Sequence, residues 1–101
     1  LGLIDKTDIA NQDPAWPAYK KYFMHGTSHY LGLDTHDVGT WALDMKIESG
    51  MVFTCEPGIY IPNENMGIRI EDDILVTEHG NQNLMKNIPK EVDEIESIMN
   101  S

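Results

Sequence analysis

The sequence is poor in cysteine and in basic residues, and it lacks long apolar segments. Its 101 residues include one cysteine, Cys55, so no disulfide can form within the chain, which fits a reducing, cytoplasmic setting. Seven basic residues against 17 acidic ones give a net charge of −10, which repels nucleic acids and anionic lipids. Because the apolar runs are only a few residues long, we expect no transmembrane helix and no membrane partner.

The length and the first residues bear on domain organisation. A chain of 101 residues is enough for one domain and too short for two. It begins with Leu1, and the opening "LGLIDKTDI" carries no helix start signal, so it looks like the end of a helix already begun. We therefore expect residues 1–101 to be a single fragment of a longer protein.

The residue pattern predicts an α+β fold with strands in the middle of the chain. The segments "MVFTCEPGIYI" and "GIRIEDDILVT" are rich in β-branched and aromatic residues, with a loop at residues 62–67 between them and a turn, "EHGNQN", after them. Pro17 predicts the start of a short helix running towards Met24, and Pro89 predicts the start of a C-terminal helix. That last helix carries an apolar stripe expected to pack on the sheet: Val92, Ile95, Ile98 and Met99.

Three of the four histidines lie in one short stretch, "HGTSHYLGLDTHD", which contains His25, His29 and His36. A helical turn between Gly26 and Gly32 would place His25 and His29 on the same face. Such a concentration of imidazoles in an acidic chain marks the stretch as a candidate site.

One imidazole and two carboxylates could form a metal site. Glu56 lies where a Pro-Gly pair breaks a strand, and Glu71 lies in the next strand, on the same face as Arg69. A half-buried carboxylate must be paired or coordinate a metal, because burying a lone charge is costly. Together with His29 they would make a hard ligand set, suited to manganese, cobalt or iron(II).

The same residues have simpler interpretations, and their spacing leaves these open. A lone histidine is more often a surface residue than a ligand, and Glu56 could serve only the turn before the Pro-Gly pair. Arg69 and Glu71 could form a cross-strand ion pair of small energetic weight. The sequence contains neither H-E-x-x-H nor C-x-x-C, so no general motif decides for a metal.

Three longer motifs resemble those of the Xaa-Pro aminopeptidases: "FMHGTSHYLGLDTHDVG", "GMVFTCEPGIYI" and "GIRIEDDILVTEHGNQNL". These enzymes belong to the pita-bread metallopeptidases, with prolidase and methionine aminopeptidase. The motifs stand in the family's order and spacing and cover roughly residues 22–99. The resemblance implies the C-terminal half of a pita-bread fold, with a curved, antiparallel-rich sheet and packed helices. The chain would be the C-terminal part of the catalytic domain.

The resemblance also implies a ligand set. His29, Glu56 and Glu71 match family metal ligands, with Glu71 bridging two divalent ions and Glu56 also transferring a proton. Manganese is the first candidate for those ions, with cobalt or zinc as alternatives. Two further aspartate ligands, in a pattern like D-x-G…D-x-T-R, have no counterpart here. We therefore expect the dinuclear site only in the full-length parent, and the fragment alone to be inactive.

Other matched residues imply a substrate pocket. His25 and His36 match histidines that line it, so with Glu56 they are the candidate catalytic residues, and both would bind substrate. Arg69 matches an arginine that supports the metal ligands from behind.

The implied function is release of the N-terminal residue from peptides with proline in second position, so the expected partner is a peptide with an Xaa-Pro N-terminus. Prolidase, which cleaves only Xaa-Pro dipeptides, is the alternative, although the first motif and the short loop "IPNENMG" look more like the aminopeptidase. A non-catalytic pita-bread binding module is a further hypothesis, disfavoured because each ligand expected in this half is present. The apolar strands at 51–55 and 68–76 predict self-association into a homo-oligomer.

Overall fold

The structure, a computed structural model, describes residues 2–38 and 45–101. Leu1 and Gly39, the last residue of the first motif, lie outside this part of the chain. The described helices and strands are, in chain order, α1 (Lys6–Ala10), β1 (Val52–Cys55), β2 (Gly58–Ile61), β3 (Met66–Arg69), β4 (Asp72–Thr77), β5 (Gly80–Asn83) and α2 (Val92–Met99). Single 3-10 turns occur at Ala18–Lys21 and Pro62–Glu64. None of the described helices has the length and apolar character needed to cross a membrane.

An antiparallel hairpin with an interruption forms the centre of the fold. β1 pairs with β4 up to Cys55 opposite Asp72, and β2 pairs with β3 from Gly58 opposite Arg69 onwards. The two pairings keep the same register across the interruption. Positions 56 and 71 therefore face each other where the ladder is broken.

The break has a local cause. Pro57 has no N–H and cannot donate to the opposite strand, although its carbonyl accepts from the N–H of Ile70 at 3.2 Å. Two short sheets result, β1-β4-β5 and β2-β3. Glu56 and Glu71 are left at their junction, outside both ladders.

Residues 27–31 run along the outer edge of β1 in an antiparallel direction. The N–H of Thr54 donates to the carbonyl of His29 at 3.0 Å. The N–H of Glu56 donates to the carbonyl of Thr27 at 2.8 Å. Since directly opposed residues share a face and strand side chains alternate, His29, Thr54 and Glu56 lie on one face.

The core is small and sits beside this edge. Phe53 and Thr54 are the buried residues among those described. The ring of Tyr30 lies 4.8 Å from that of Phe53. The buried part of the sheet is therefore the part that carries the candidate ligands.

The C-terminal helix forms, but its apolar stripe does not pack on the sheet. α2 begins at Val92, and its N-cap residue, Glu91, lies two residues beyond Pro89. The side chains of the stripe are between 43% and 78% exposed. The prediction of packing is therefore wrong for the described residues, because periodicity defines an apolar face without specifying what covers it.

The N-terminal predictions also need correction. α1 has its own start signal, since the side chain of Asp5 accepts from the N–H of Asp8 at 2.8 Å and that of Asp8 accepts from the N–H of Asp5 at 3.0 Å. This capping box uses aspartate where glutamate or glutamine is usual, which hides it in the sequence. The helix after Pro17 is a single 3-10 turn that ends before Met24.

Tertiary pairing overrides the local pattern at three further places. Residues 27–31 pair with β1, so the helical turn predicted between Gly26 and Gly32 is wrong. The turn predicted at "EHGNQN" is confined to its first two residues, since Gly80–Asn83 forms β5 against β4. The loop predicted at 62–67 is shorter, because β3 begins at Met66.

Candidate metal centre

Three side chains from distant parts of the chain meet at the break in the hairpin. His29, Glu56 and Glu71 each offer a ligand atom, and these atoms lie within 4.8 Å of one another. The register explains the meeting, because His29 shares a face with Glu56 and Glu71 stands opposite Glu56. The structure thus brings together the residues that the sequence analysis named as ligands.

Hydrogen bonding defines which nitrogen of His29 faces the carboxylates. Its Nδ1 lies 2.8 Å from the carbonyl oxygen of Tyr30, which can only accept, so Nδ1 carries the hydrogen. In the neutral ring, Nε2 then presents a lone pair to the Oε1 of Glu56, 3.2 Å away. Two acceptors at this distance need a proton or a cation between them. An imidazole in this tautomer with nearby carboxylates is a donor set that fits a divalent cation.

Glu56 is held on both of its oxygens. Its side chain is only 12% exposed. Oε1 accepts from the hydroxyl of Thr54 at 3.1 Å, and Oε2 lies 3.9 Å from the Nε of Arg69. Burying a carboxylate to this degree is costly unless it has such partners. Its orientation is therefore set by the surrounding residues.

Arg69 stands between the two carboxylates. Its Nε is 3.9 Å from the Oε2 of Glu56 and 3.9 Å from the Oε2 of Glu71. These distances are ion-pair contacts and too long for hydrogen bonds. One guanidinium against two carboxylates leaves negative charge at the site, which attracts a cation.

A cavity of about 380 Å³ opens in front of these groups. The ring of His36 lies edge-to-face against that of His29, with 4.4 Å between their centres. His36 is exposed and can contact a molecule in the cavity. The cavity is lined by His25, Gly26, Ser28, His29, His36, Glu56 and Arg69.

His25 uses both ring nitrogens within the protein. Nδ1 donates to the carbonyl of Gly26 at 2.7 Å, which leaves Nε2 to accept from the hydroxyl of Tyr60 at 2.8 Å. The sequence analysis missed Tyr60. A signal was available, because Tyr60 is opposite Gly67, where a Cβ would lie 2.6 Å from the tyrosine ring. A glycine inside a strand often marks such a close approach.

The chain is similar in sequence to known metallopeptidases. The pattern of metallopeptidase family M24 matches residues 4–78. The Xaa-Pro aminopeptidase of Escherichia coli is 49% identical over 109 aligned positions, which cover 98% of this chain and 24% of that protein. The chain thus spans about a quarter of the length of this relative.

Solved structures agree with the fold. A structure from Bacillus anthracis, provisionally named an aminopeptidase P, is 62% identical, with a TM-score of 0.76 over 80% of this chain and 19% of that one. The Escherichia coli aminopeptidase P with the inhibitor Pro-Leu is 49% identical, with a TM-score of 0.75 over 84% of this chain and 22% of that one. The predicted α+β, pita-bread type of fold is therefore confirmed for the part of the chain that aligns with these structures.

Proposed function

Because the chain belongs to metallopeptidase family M24, we propose that it forms the C-terminal part of the catalytic domain of a Xaa-Pro aminopeptidase. The proposed reaction hydrolyses the bond between the N-terminal residue and a proline in second position. The observation that carries the proposal is the meeting of His29, Glu56 and Glu71 within 4.8 Å. The name of the Escherichia coli relative and the Pro-Leu inhibitor in its solved counterpart support the substrate class.

The proposed cofactor is a pair of divalent metal ions, with manganese first. Among the described residues, His29, Glu56 and Glu71 would hold them. When bound, such ions supply Lewis acidity, which makes water nucleophilic at neutral pH and polarises the scissile carbonyl. The two carboxylates and the imidazole are hard ligands of the kind that manganese accepts.

Glu56 is the proposed proton carrier. Its carboxylate takes a proton from the attacking water as the new carbon–oxygen bond forms, and returns it to the proline nitrogen as the carbon–nitrogen bond breaks. The Thr54 hydroxyl and the Arg69 guanidinium hold its two oxygens, so little reorganisation is needed between the two transfers. Arg69 also offsets part of the combined negative charge of Glu56 and Glu71.

The histidines of the cavity have different proposed roles. His36 faces the cavity beside His29 and can donate a hydrogen bond to the substrate carbonyl as negative charge develops there. His25 lines the cavity, where its proposed role is contact with substrate, and its ring is fixed by hydrogen bonds to Gly26 and Tyr60.

The proposed setting is the cytoplasm and the proposed assembly is a homo-oligomer. The single cysteine supports a reducing compartment. The exposed apolar side chains of β3 and α2 support association with further protein surface.

The test uses the full-length protein that contains this sequence. Stripped of metal and reloaded with Mn²⁺, it is given a Xaa-Pro dipeptide, a Xaa-Pro tripeptide and a matched tripeptide with alanine in second position. We expect cleavage of the Xaa-Pro tripeptide, loss of activity without metal and little cleavage of the alanine peptide. Cleavage of the dipeptide alone would establish prolidase activity instead, and no cleavage with Mn²⁺ bound would favour a binding module.

A further inference from the structure

Thr54 is the most deeply buried residue beside the candidate metal centre, with 2% of its surface exposed. Its hydroxyl is 3.0 Å from the backbone nitrogen of His29 and 3.1 Å from the Oε1 of Glu56. Its own N–H donates to the His29 carbonyl at 3.0 Å. One side chain thus joins the backbone of one proposed ligand to the carboxylate of another.

The direction of these hydrogen bonds is determined by the groups involved. The backbone N–H of His29 can only donate, so the Thr54 oxygen accepts there. The hydroxyl hydrogen is then available for the Glu56 carboxylate, which can only accept while ionised. This charge-assisted bond reaches Oε1, the same oxygen that lies 3.2 Å from the Nε2 of His29.

We propose that Thr54 is a positioning residue of the metal centre. Its hydroxyl holds the Oε1 of Glu56 and the backbone of His29, so that both side chains face the same point. This inference rests on the proposed function, because it assumes that both residues bind metal. Thr54 would support the ligands without binding the metal itself, since its hydroxyl already makes hydrogen bonds to His29 and Glu56. Partners behind a ligand commonly change metal affinity by about 10–100-fold when they are lost.

The competing explanation is that Thr54 is only a well-packed strand residue. Two substitutions separate the explanations, because threonine combines a methyl group with a hydroxyl. Thr54→Val keeps the shape and the strand propensity but removes the hydroxyl. Thr54→Ser keeps the hydroxyl but removes the methyl group. A packing role predicts that the serine variant loses more Mn²⁺ affinity than the valine variant. A positioning role predicts that the valine variant loses more.

The experiment titrates Mn²⁺ into the metal-free, full-length protein by calorimetry and records the unfolding midpoint with and without Mn²⁺. For Thr54→Val we expect an affinity about 10–100-fold weaker and a smaller Mn²⁺-induced rise in the midpoint. Thr54→Ser should bind close to the unsubstituted protein. Thr77→Val makes the same chemical change at the far end of β4 and should leave Mn²⁺ affinity unchanged.

Equal Mn²⁺ affinity in Thr54→Val and the unsubstituted protein would overturn the inference while leaving the proposed function intact. A greater loss in Thr54→Ser than in Thr54→Val would also overturn it. If the valine variant does not fold, Thr54→Cys replaces it, since a thiol is a weak donor, and affinity equal to that of the serine variant would then count against the inference. An unsubstituted protein that binds no Mn²⁺ would overturn both proposals.

Discussion

The Nε2 of His29 lies 3.2 Å from the Oε1 of Glu56, across the edge of β1. The two residues come from different motifs, and only the antiparallel pairing of residues 27–31 with β1 brings them together. Because the imidazole hydrogen is on Nδ1, the neutral ring presents the lone pair of Nε2 to the carboxylate.

Glu71 is the ligand for which removal should have the largest effect. We expect Glu71→Ala in the full-length protein to lose bound metal and to lower turnover by more than about 100-fold, beyond the effect of losing a residue behind a ligand. Metal content and hydrolysis of a Xaa-Pro tripeptide measure the two effects. Glu78→Ala removes an exposed carboxylate from the turn after β4 and serves as the control. Full metal content in Glu71→Ala would contradict the assignment of this ligand.

The loop that carries His36 depends on the absence of a side chain at Gly32. The Asp37 carboxylate accepts from the N–H of Leu33 at 3.0 Å and from that of Val38 at 2.8 Å, and a methyl group at Gly32 would overlap it. We expect Gly32→Ala to displace this carboxylate and to destabilise the fold by about 1–3 kcal/mol, since two hydrogen bonds of about 0.5–1.5 kcal/mol each would be lost. Denaturant unfolding measures the change.

Gly26→Ala is the matched control for that substitution. It lies in the same segment, and the nearest atom to an added Cβ would be 4.0 Å away. Its unfolding free energy should therefore change little. If both alanine variants unfold at the same denaturant concentration, the contact between Gly32 and Asp37 has no energetic weight.

Acid should weaken the link between β4 and the segment before α2. The Nζ of Lys90 lies 2.9 and 2.8 Å from the two oxygens of Asp72, and this hydrogen bond holds the pKa of Asp72 below its ordinary value. The stabilisation is complete above the pKa of the unfolded state and is lost as pH falls through the lower folded-state pKa.

We therefore expect the unfolding temperature to fall as pH drops below the ordinary aspartate pKa of about 3.9, and to fall less in Asp72→Asn, which lacks the titrating group. Thermal unfolding across this range gives the comparison. Glu96→Gln, on the exposed surface of α2, should follow the unsubstituted protein. Parallel curves for Asp72→Asn and the unsubstituted chain would mean that the Lys90 contact is energetically silent.

The apolar surface of β2 and β3 should drive association of the isolated 101-residue chain. Ile68 is 59% exposed, and it lines a shallow apolar groove with Ile59 and Ile70. Light scattering at rising concentration should show oligomers, which Ile68→Lys should reduce. Ile88→Lys changes a similarly exposed isoleucine outside the strands and should have a smaller effect. A monodisperse monomer at high concentration would contradict this prediction.

Much of the local structure could be predicted from residue types. The strands around "VFTC" and "GIYI" are confirmed, as is an interruption at Pro57, because proline has no N–H to donate wherever it stands. Gly58, which the sequence placed in the interruption, is the first residue of β2. The final helix is also confirmed. The pairing of residues 27–31 was not predictable in this way, since its hydrogen bonds are made with β1 rather than within the segment. For the same reason the sequence could not show that α2 leaves its apolar stripe exposed.

Some residues of the candidate site could be predicted from the sequence, and others could not. Its residue types and motifs named His29, Glu56, Glu71 and Arg69, whose proposed roles stay predictions. Tyr60 and Thr54 were missed, because an aromatic or β-branched residue in a strand is ordinary until its hydroxyl is seen to have a partner.

The sequence by itself determined the acidic charge, the strand-forming segments and the family to which the motifs belong. Only the tertiary structure decided which side chains face one another, that the Thr54 hydroxyl joins His29 to Glu56, and that the His25 nitrogens are already engaged. The physical reason is that composition and periodicity act over a few neighbouring residues. Register and hydrogen-bond partnership arise between segments that the folded chain alone brings within a few ångströms.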